Sequence, residues 1–80
     1  MYNTYILKSD RIDRYYIGST EDLKKRIKEH NKGEVRSTKS GIPWKLVYYE
    51  SFLSRNKAYK RERQIKSYKG GEAFKKLIKK

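Results

Sequence analysis

Cysteine is absent from these 80 residues, and histidine, proline and tryptophan occur once each. Without cysteine there is no disulfide and no Cys-rich zinc site, and with one histidine there is no zinc finger built on paired histidines. A cysteine-free chain also fits a reducing compartment. No apolar run approaches the ~20 residues of a membrane span, and no hydrophobic signal segment opens the sequence. The expected location is therefore cytoplasmic. Acidic residues are scarce as well, 9 against 22 lysines and arginines. Two-metal sites usually need several clustered carboxylates, and these few are dispersed. The composition permits a site with a single carboxylate and a single metal.

The sequence is rich in positive charge, +13 net. Such an excess says little about fold and much about partners: a polyanion or an anionic membrane surface. The basic residues run from Lys8 to Lys80 with aliphatic and aromatic residues interleaved, unlike a disordered basic tail. Eight tyrosines and one tryptophan suit a packed domain, and they also offer faces on which bases stack. The length suits one domain, 1–80. A domain of this size buries only about 60% of the surface its unfolded chain exposes, so its core is thin.

Residues Tyr2 to Lys8, rich in Tyr, Thr, Ile and Leu, predict a first strand. Ser9 to Arg14 reads as a polar turn and Tyr15 to Ser19 as a second strand, making a hairpin. Ser19 or Thr20 is positioned to N-cap a helix carrying Glu21 and Asp22 in its first turn, where the helix dipole favours acids. That helix runs to about Asn31, with Gly33 as the stop. Glu34 to Pro43 is a basic, polar loop. Trp44 to Phe52 is a third strand, and Ser54 caps a second long helix reaching about Ser67. Gly70 and Gly71 break the chain before a short helix with Phe74, Leu77 and Ile78 on one face. The expected fold is α+β: a small three-stranded antiparallel sheet flanked by helices, in the order β-β-α-β-α-α.

At about 100° per residue, Leu23, Ile27 and His30 form the apolar stripe of the first helix, flanked by Arg26. Lys24, Lys25, Lys28 and Glu29 point elsewhere. On the second helix Ala58 and Ile65 define the inner stripe and Glu62 falls between them, while Lys57, Lys60, Arg63 and Gln64 face outward. An inward base and an inward acid need explaining, because unpaired buried charge is expensive. From this pattern alone a structural Arg26–Glu62 ion pair is the commoner explanation. His30 alone reads more simply as a packing residue, and the tyrosines as core and sheet surface.

These residues also carry a resemblance. Tyr16-Ile17-Gly18 is an intact YIG tripeptide, and Asn3-Thr4-Tyr5 stands where Gly-Ile-Tyr would be, keeping only the tyrosine. Gly18-Ser19-Thr20 leads into Asp22-Leu23-Lys24-Lys25-Arg26 and His30-Asn31, followed by Thr38, Pro43, Lys45-Leu46-Val47-Tyr48, Ala58, Arg61-Glu62 and Ile65-Lys66. From Tyr2 to about Lys66 the chain resembles the GIY-YIG nuclease family, in its small single-domain bacterial branch.

The resemblance implies a metal-dependent endonuclease that hydrolyses phosphodiester bonds, with DNA ahead of RNA and branched or damaged DNA the family-level expectation. Tyr5 would be the general base for the attacking water, although a free phenol titrates near ~10 and needs a cation beside it. Tyr16 would position that water. Arg26 would hold a non-bridging phosphate oxygen. Glu62 would ligate one Mg²⁺ or Mn²⁺ that otherwise keeps its water ligands. His30 would stand beside the phosphate as donor or proton relay. Arg36, Lys39 and Lys66 are candidate phosphate contacts, although solvated surface is the simpler reading for lysines.

Two other readings stay open. A non-catalytic nucleic-acid-binding module fits the charge equally well, and the degenerate first motif leaves room for it. An adaptor with a decayed nuclease fold is disfavoured by the joint presence of Tyr5, Tyr16, Arg26 and Glu62. A membrane-surface role fits least, because the outward helix faces are charged and lack an aromatic edge. No second domain for sequence recognition is visible, so specificity would be low, structure-directed or supplied by a protein partner.

Overall fold

A computed structural model describes residues 1–79. The elements are β1 (Tyr2–Ser9), β2 (Tyr15–Thr20), α1 (Leu23–Asn31), a 3₁₀ helix (Arg36–Gly41), β3 (Trp44–Phe52), α2 (Arg55–Ser67) and α3 (Glu72–Ile78). The expected α+β order, β-β-α-β-α-α around a three-stranded antiparallel sheet, is the one observed. The strands lie in the order β2-β1-β3.

β1 is central, and its side chains alternate between the two faces of the sheet. Tyr5 and Leu7 pack with Trp44 on the face covered by α1, where Leu23 and Ile27 complete the cluster. Thr4 and Ile6 face the other way. Ile6 packs with Ile65 and Phe74 under α2 and α3, and the Thr4 hydroxyl donates to the Ala58 carbonyl at 2.6 Å. All four of these β1 residues are buried. Burial of an Ile or Leu side chain contributes roughly 1.5–3 kcal/mol, so Ile6, Leu7 and Ile65 are the anchors of a thin core. A change such as Leu7→Ala would cost about 2–5 kcal/mol.

Polar side chains fix the connections. Ser9 ends β1, donates its hydroxyl to the Gly41 carbonyl at 2.6 Å, and accepts the amides of Arg11 and Ile12, each at 3.0 Å. It thus closes the hairpin turn and ties it to the segment before β3. Asn31, the last residue of α1, brackets the Trp44 backbone. Its amide nitrogen donates to the Trp44 carbonyl at 3.0 Å, and its oxygen accepts the Trp44 amide at 2.6 Å. A nine-residue helix is marginal by itself, so this clamp and the apolar stripe hold α1 in place. Gly33, at φ +79, is the left-handed stop predicted from its position.

Two local expectations are corrected. Strand β2 runs through Thr20, because Ser19 and Thr20 pair with Thr4 and Asn3 of β1. The N-cap is therefore Asp22, whose carboxylate accepts the Lys25 amide at 3.1 Å, and Glu21 and Asp22 precede the first turn. The basic segment between α1 and β3 contains a six-residue 3₁₀ helix. Ser54 caps α2 as expected, accepting the Lys57 amide at 3.1 Å.

Candidate active site

The hairpin register sets Tyr5 opposite Gly18, and the motif tyrosines meet on one face of the sheet with ring centroids 6.2 Å apart. A β-carbon at position 18 would stand 2.7 Å from the Tyr5 hydroxyl and 3.0 Å from the Tyr16 ring. The glycine of the YIG tripeptide is therefore what lets the Tyr5 phenol lie across β2.

His30 comes up beneath both rings from the last turn of α1. Its Nε2 is 3.0 Å from the Tyr5 hydroxyl, and its ring centroid is 4.8 Å from that of Tyr16. Its Nδ1 is 2.8 Å from the Thr38 hydroxyl, which donates to the Val35 carbonyl at 3.3 Å. A threonine hydroxyl has one proton. With that proton on Val35, Nδ1–H donates to Thr38 and Nε2 accepts the Tyr5 proton. Thr38 is fixed in turn, since the Trp44 indole donates to its carbonyl at 2.7 Å. A line of hydrogen bonds thus runs from the start of β3 to the Tyr5 phenol.

Burial pushes the Tyr5 phenol up to about 12, against the opposing pull of the Arg26 guanidinium. Burial, and then the charge of Arg26, push the His30 imidazole down to about 4. At neutral pH the pair is a neutral phenol donating to a neutral imidazole. Arg26 itself is held firmly protonated, chiefly by its bond to Glu29 at 3.0 Å. Arg26 opens on a cleft of about 340 Å³ that is lined also by Ser19, Asp22, Lys25 and Glu29, and not by Tyr5, Tyr16 or Glu62.

The Arg26–Glu62 ion pair anticipated as the structural alternative does not form. Arg26 reaches one turn along its own helix to Glu29, which lines the cleft instead of facing open solvent. Glu62 crosses from α2 to β2, where its Oε1 accepts the Ser19 hydroxyl at 2.7 Å and its Oε2 accepts Lys66 Nζ at 2.7 Å. Its side chain is 12% exposed. A carboxylate oxygen accepts more than one hydrogen bond, so both retain lone pairs. Among the described residues no three His, Asp or Glu side chains converge as a metal cage. The donor set suits one hydrated hard cation on a single carboxylate, not a multi-carboxylate pair.

Of the sequence-predicted residues, Tyr5, Tyr16, Arg26 and His30 are brought together. Glu62 adjoins them through Ser19, next to Gly18. His30 lies behind the Tyr5 phenol and is completely buried, so it meets the site through Tyr5 and not as a direct neighbour of the cleft. Lys66 is engaged by Glu62, whereas Arg36 and Lys39 stand exposed on the 3₁₀ helix. Three contributors are not legible in the sequence. Glu29 points outward on a helical wheel. Ser19 reads as a strand end or, with Thr20, a helix cap. Thr38 is the only threonine of a basic loop, and nothing in the sequence ties it to His30.

The GIY-YIG catalytic domain matches this chain over residues 1–75. The chain is 44% identical over 63 residues to a UPF0213 protein of Clostridium perfringens, covering 78% of this chain and 67% of that one. To a UPF0213 protein of Halobacterium salinarum it is 36% identical over 67 residues, 82% of this chain and 86% of that one. To one of Haloquadratum walsbyi it is 44% identical over 54 residues, 66% of this chain, and the match spans 61% of that relative's length. No solved structure matches. No helix among the described residues is long and apolar enough to cross a membrane. With the two tyrosines, the arginine and the glutamate placed on this β-β-α-β-α-α frame, the chain belongs to the GIY-YIG nuclease family, in the UPF0213 group found in bacteria and archaea.

Proposed function

We propose that the protein is a metal-dependent endonuclease acting on nucleic acid, DNA ahead of RNA, with Tyr5 as the base that activates water. The observation that carries this reading is the Tyr5–His30 contact at 3.0 Å, with the imidazole Nδ1 held 2.8 Å from the Thr38 hydroxyl. At a pKa of about 12 the phenol is a poor resting base, but it need not ionise beforehand. As water attacks phosphorus, its proton passes to the Tyr5 oxygen while the Tyr5 proton passes to His30 Nε2. Substrate favours the second transfer. A phosphate entering the cleft offsets the Arg26 charge that helps hold the imidazole neutral.

Arg26 lines the cleft and binds a non-bridging oxygen, drawing on donors that Glu29 leaves free. Tyr16, packed on His30, confines the water. Glu62 would hold one Mg²⁺ or Mn²⁺, which when bound supplies charge to the leaving oxygen. Lys66 balances Glu62, and Arg36 and Lys39 meet the backbone farther along. The +13 charge draws the polyanion in without reading its sequence.

The test is incubation with labelled single-stranded, double-stranded and branched DNA and RNA, with Mg²⁺, Mn²⁺ or chelator. Metal-dependent cleavage that Tyr5→Phe abolishes is the expected result. Binding without cleavage under every condition would leave a non-catalytic nucleic-acid-binding module.

A further inference from the structure

Beside the cleft lies a larger hollow of about 580 Å³ whose chemistry differs. Its floor is the buried Ala58, and Tyr2 and Tyr59 stand in its walls. Tyr59 is 49% exposed. At the rim, the Arg55 guanidinium lies 5.7 Å from the Tyr2 ring centroid, and the Asn56 amide is exposed. Arg55 also reaches Glu21 at 3.7 Å, but with side chains 78% and 65% exposed this pair is weak and yields readily. Ser19, Thr20 and Glu21 line both the hollow and the Arg26 cleft, so one strand end separates the two.

An apolar floor, two aromatic rings, a guanidinium plane and an amide at the rim suit a flat heterocycle with polar edges. The neighbouring cleft presents Arg26 and Lys25 to a phosphate, set among Glu21, Asp22 and Glu29. We propose that the hollow bounded by Tyr2, Arg55 and Tyr59 is a nucleobase subsite, taking the base of the nucleotide next to the scissile phosphate. A base stacked in a duplex is not free to enter such a hollow, so that nucleotide is unpaired when it binds. Substrate choice then lies in local strand structure, as in a flap, bulge or single strand. The placement beside the scissile phosphate rests on the nuclease reading above. The stacking itself does not, and is measured without cleavage.

The probe is a DNA duplex with one extrahelical 2-aminopurine, set against the same duplex fully paired, in chelator. Wild type, Tyr59→Phe and Tyr59→Leu are compared by anisotropy and 2-aminopurine fluorescence, with melting curves to show that each is folded. Wild type and Tyr59→Phe should quench the probe, and both should bind the unpaired-base duplex on the order of ten-fold more tightly than Tyr59→Leu does. The paired duplex should bind all three proteins alike. Equal affinity of wild type and Tyr59→Leu for the extrahelical probe would overturn the subsite, as would no preference of wild type between the duplexes. Metal-dependent cleavage indifferent to Tyr59 overturns the subsite and leaves the nuclease standing. Discrimination by a protein that never cleaves upholds the stacking and removes the nuclease.

Discussion

Gly18 and Tyr5 face one another across the β1–β2 ladder, and the phenol occupies the space a side chain at 18 would fill. Gly18→Ala sets a methyl 2.7 Å from the hydroxyl and 2.9 Å from the ring carbon that bears it. Overpacking of this kind typically costs about 1–3 kcal/mol, and here the part free to move is the phenol itself. Cleavage should fall at least ten-fold while Tm falls ~4–8 °C per kcal/mol lost. An alanine variant as active as wild type would mean that the Tyr5 position is not critical.

Glu62→Gln removes the charge a divalent cation needs while keeping shape. No buried arginine loses its partner, since Arg26 is paired with Glu29 and Lys66 is 53% exposed. The stability cost should stay within about 1 kcal/mol, and metal-dependent cleavage should fall ~100-fold or more. Binding in chelator should hold or improve. Cleavage at the wild-type rate would remove Glu62 from the metal site.

Tyr5→Phe keeps the buried ring and deletes the proton path. A general base is worth ~10²–10⁴ in rate, so turnover should drop by that order while binding in chelator stays within about three-fold. A second readout comes from alkali. The folded phenol is raised to about 12 from 10.0, so its contribution to stability is present below pH 10 and lost as pH rises toward 12. Melting curves above pH 10 should fall less steeply for Tyr5→Phe than for wild type.

His30 makes the fold acid-sensitive. Its folded value is about 4 against 6.5 for the free group, so below pH 6.5 the unfolded chain binds a proton that the folded one refuses. Stability is fully present above pH 6.5 and drains as pH falls toward 4, by up to about 3 kcal/mol. Urea melts across this window should show the slope in wild type and a flatter one in His30→Asn. Matching slopes would assign the acid sensitivity to other groups.

Binding should weaken steeply with salt. Even ~three phosphate contacts predict more than a ten-fold loss between 50 and 200 mM salt, through counterion release. Lys39→Ala should reduce the slope by about one contact. A nearly flat salt dependence would contradict an electrostatic interface.

The sheet was legible because β1 and β3 are dense in aromatic and branched residues, and because a hairpin fits the spacing from Tyr5 to Tyr16. Helix wheels placed Ile27, His30, Ala58 and Ile65 inward, where they lie. They failed on ion pairing, since a wheel gives direction about an axis and not reach. Arg26 takes the carboxylate one turn on at 3.0 Å, whereas Glu62 sits on another helix and bonds β2. The start of α1 was ambiguous because Ser19, Thr20 and Asp22 are all good caps, and strand pairing with Asn3 and Thr4 decided among them. No periodicity links His30 to Thr38, so their contact emerged only from the 3₁₀ helix.

The site is divided by depth. Tyr5 and His30 are 1% and 0% exposed and belong to the core, while Arg26 and Glu62 stand at its margin. A lineage that abandoned cleavage would still be held to Tyr5 and His30 by the penalty for a cavity or an orphaned buried group, roughly 1–5 kcal/mol. Nothing of that size protects Arg26 or Glu62. Their side chains would be the first to drift, so the loss of chemistry in a descendant would be written at positions 26 and 62 while Tyr5 and His30 still stood in place.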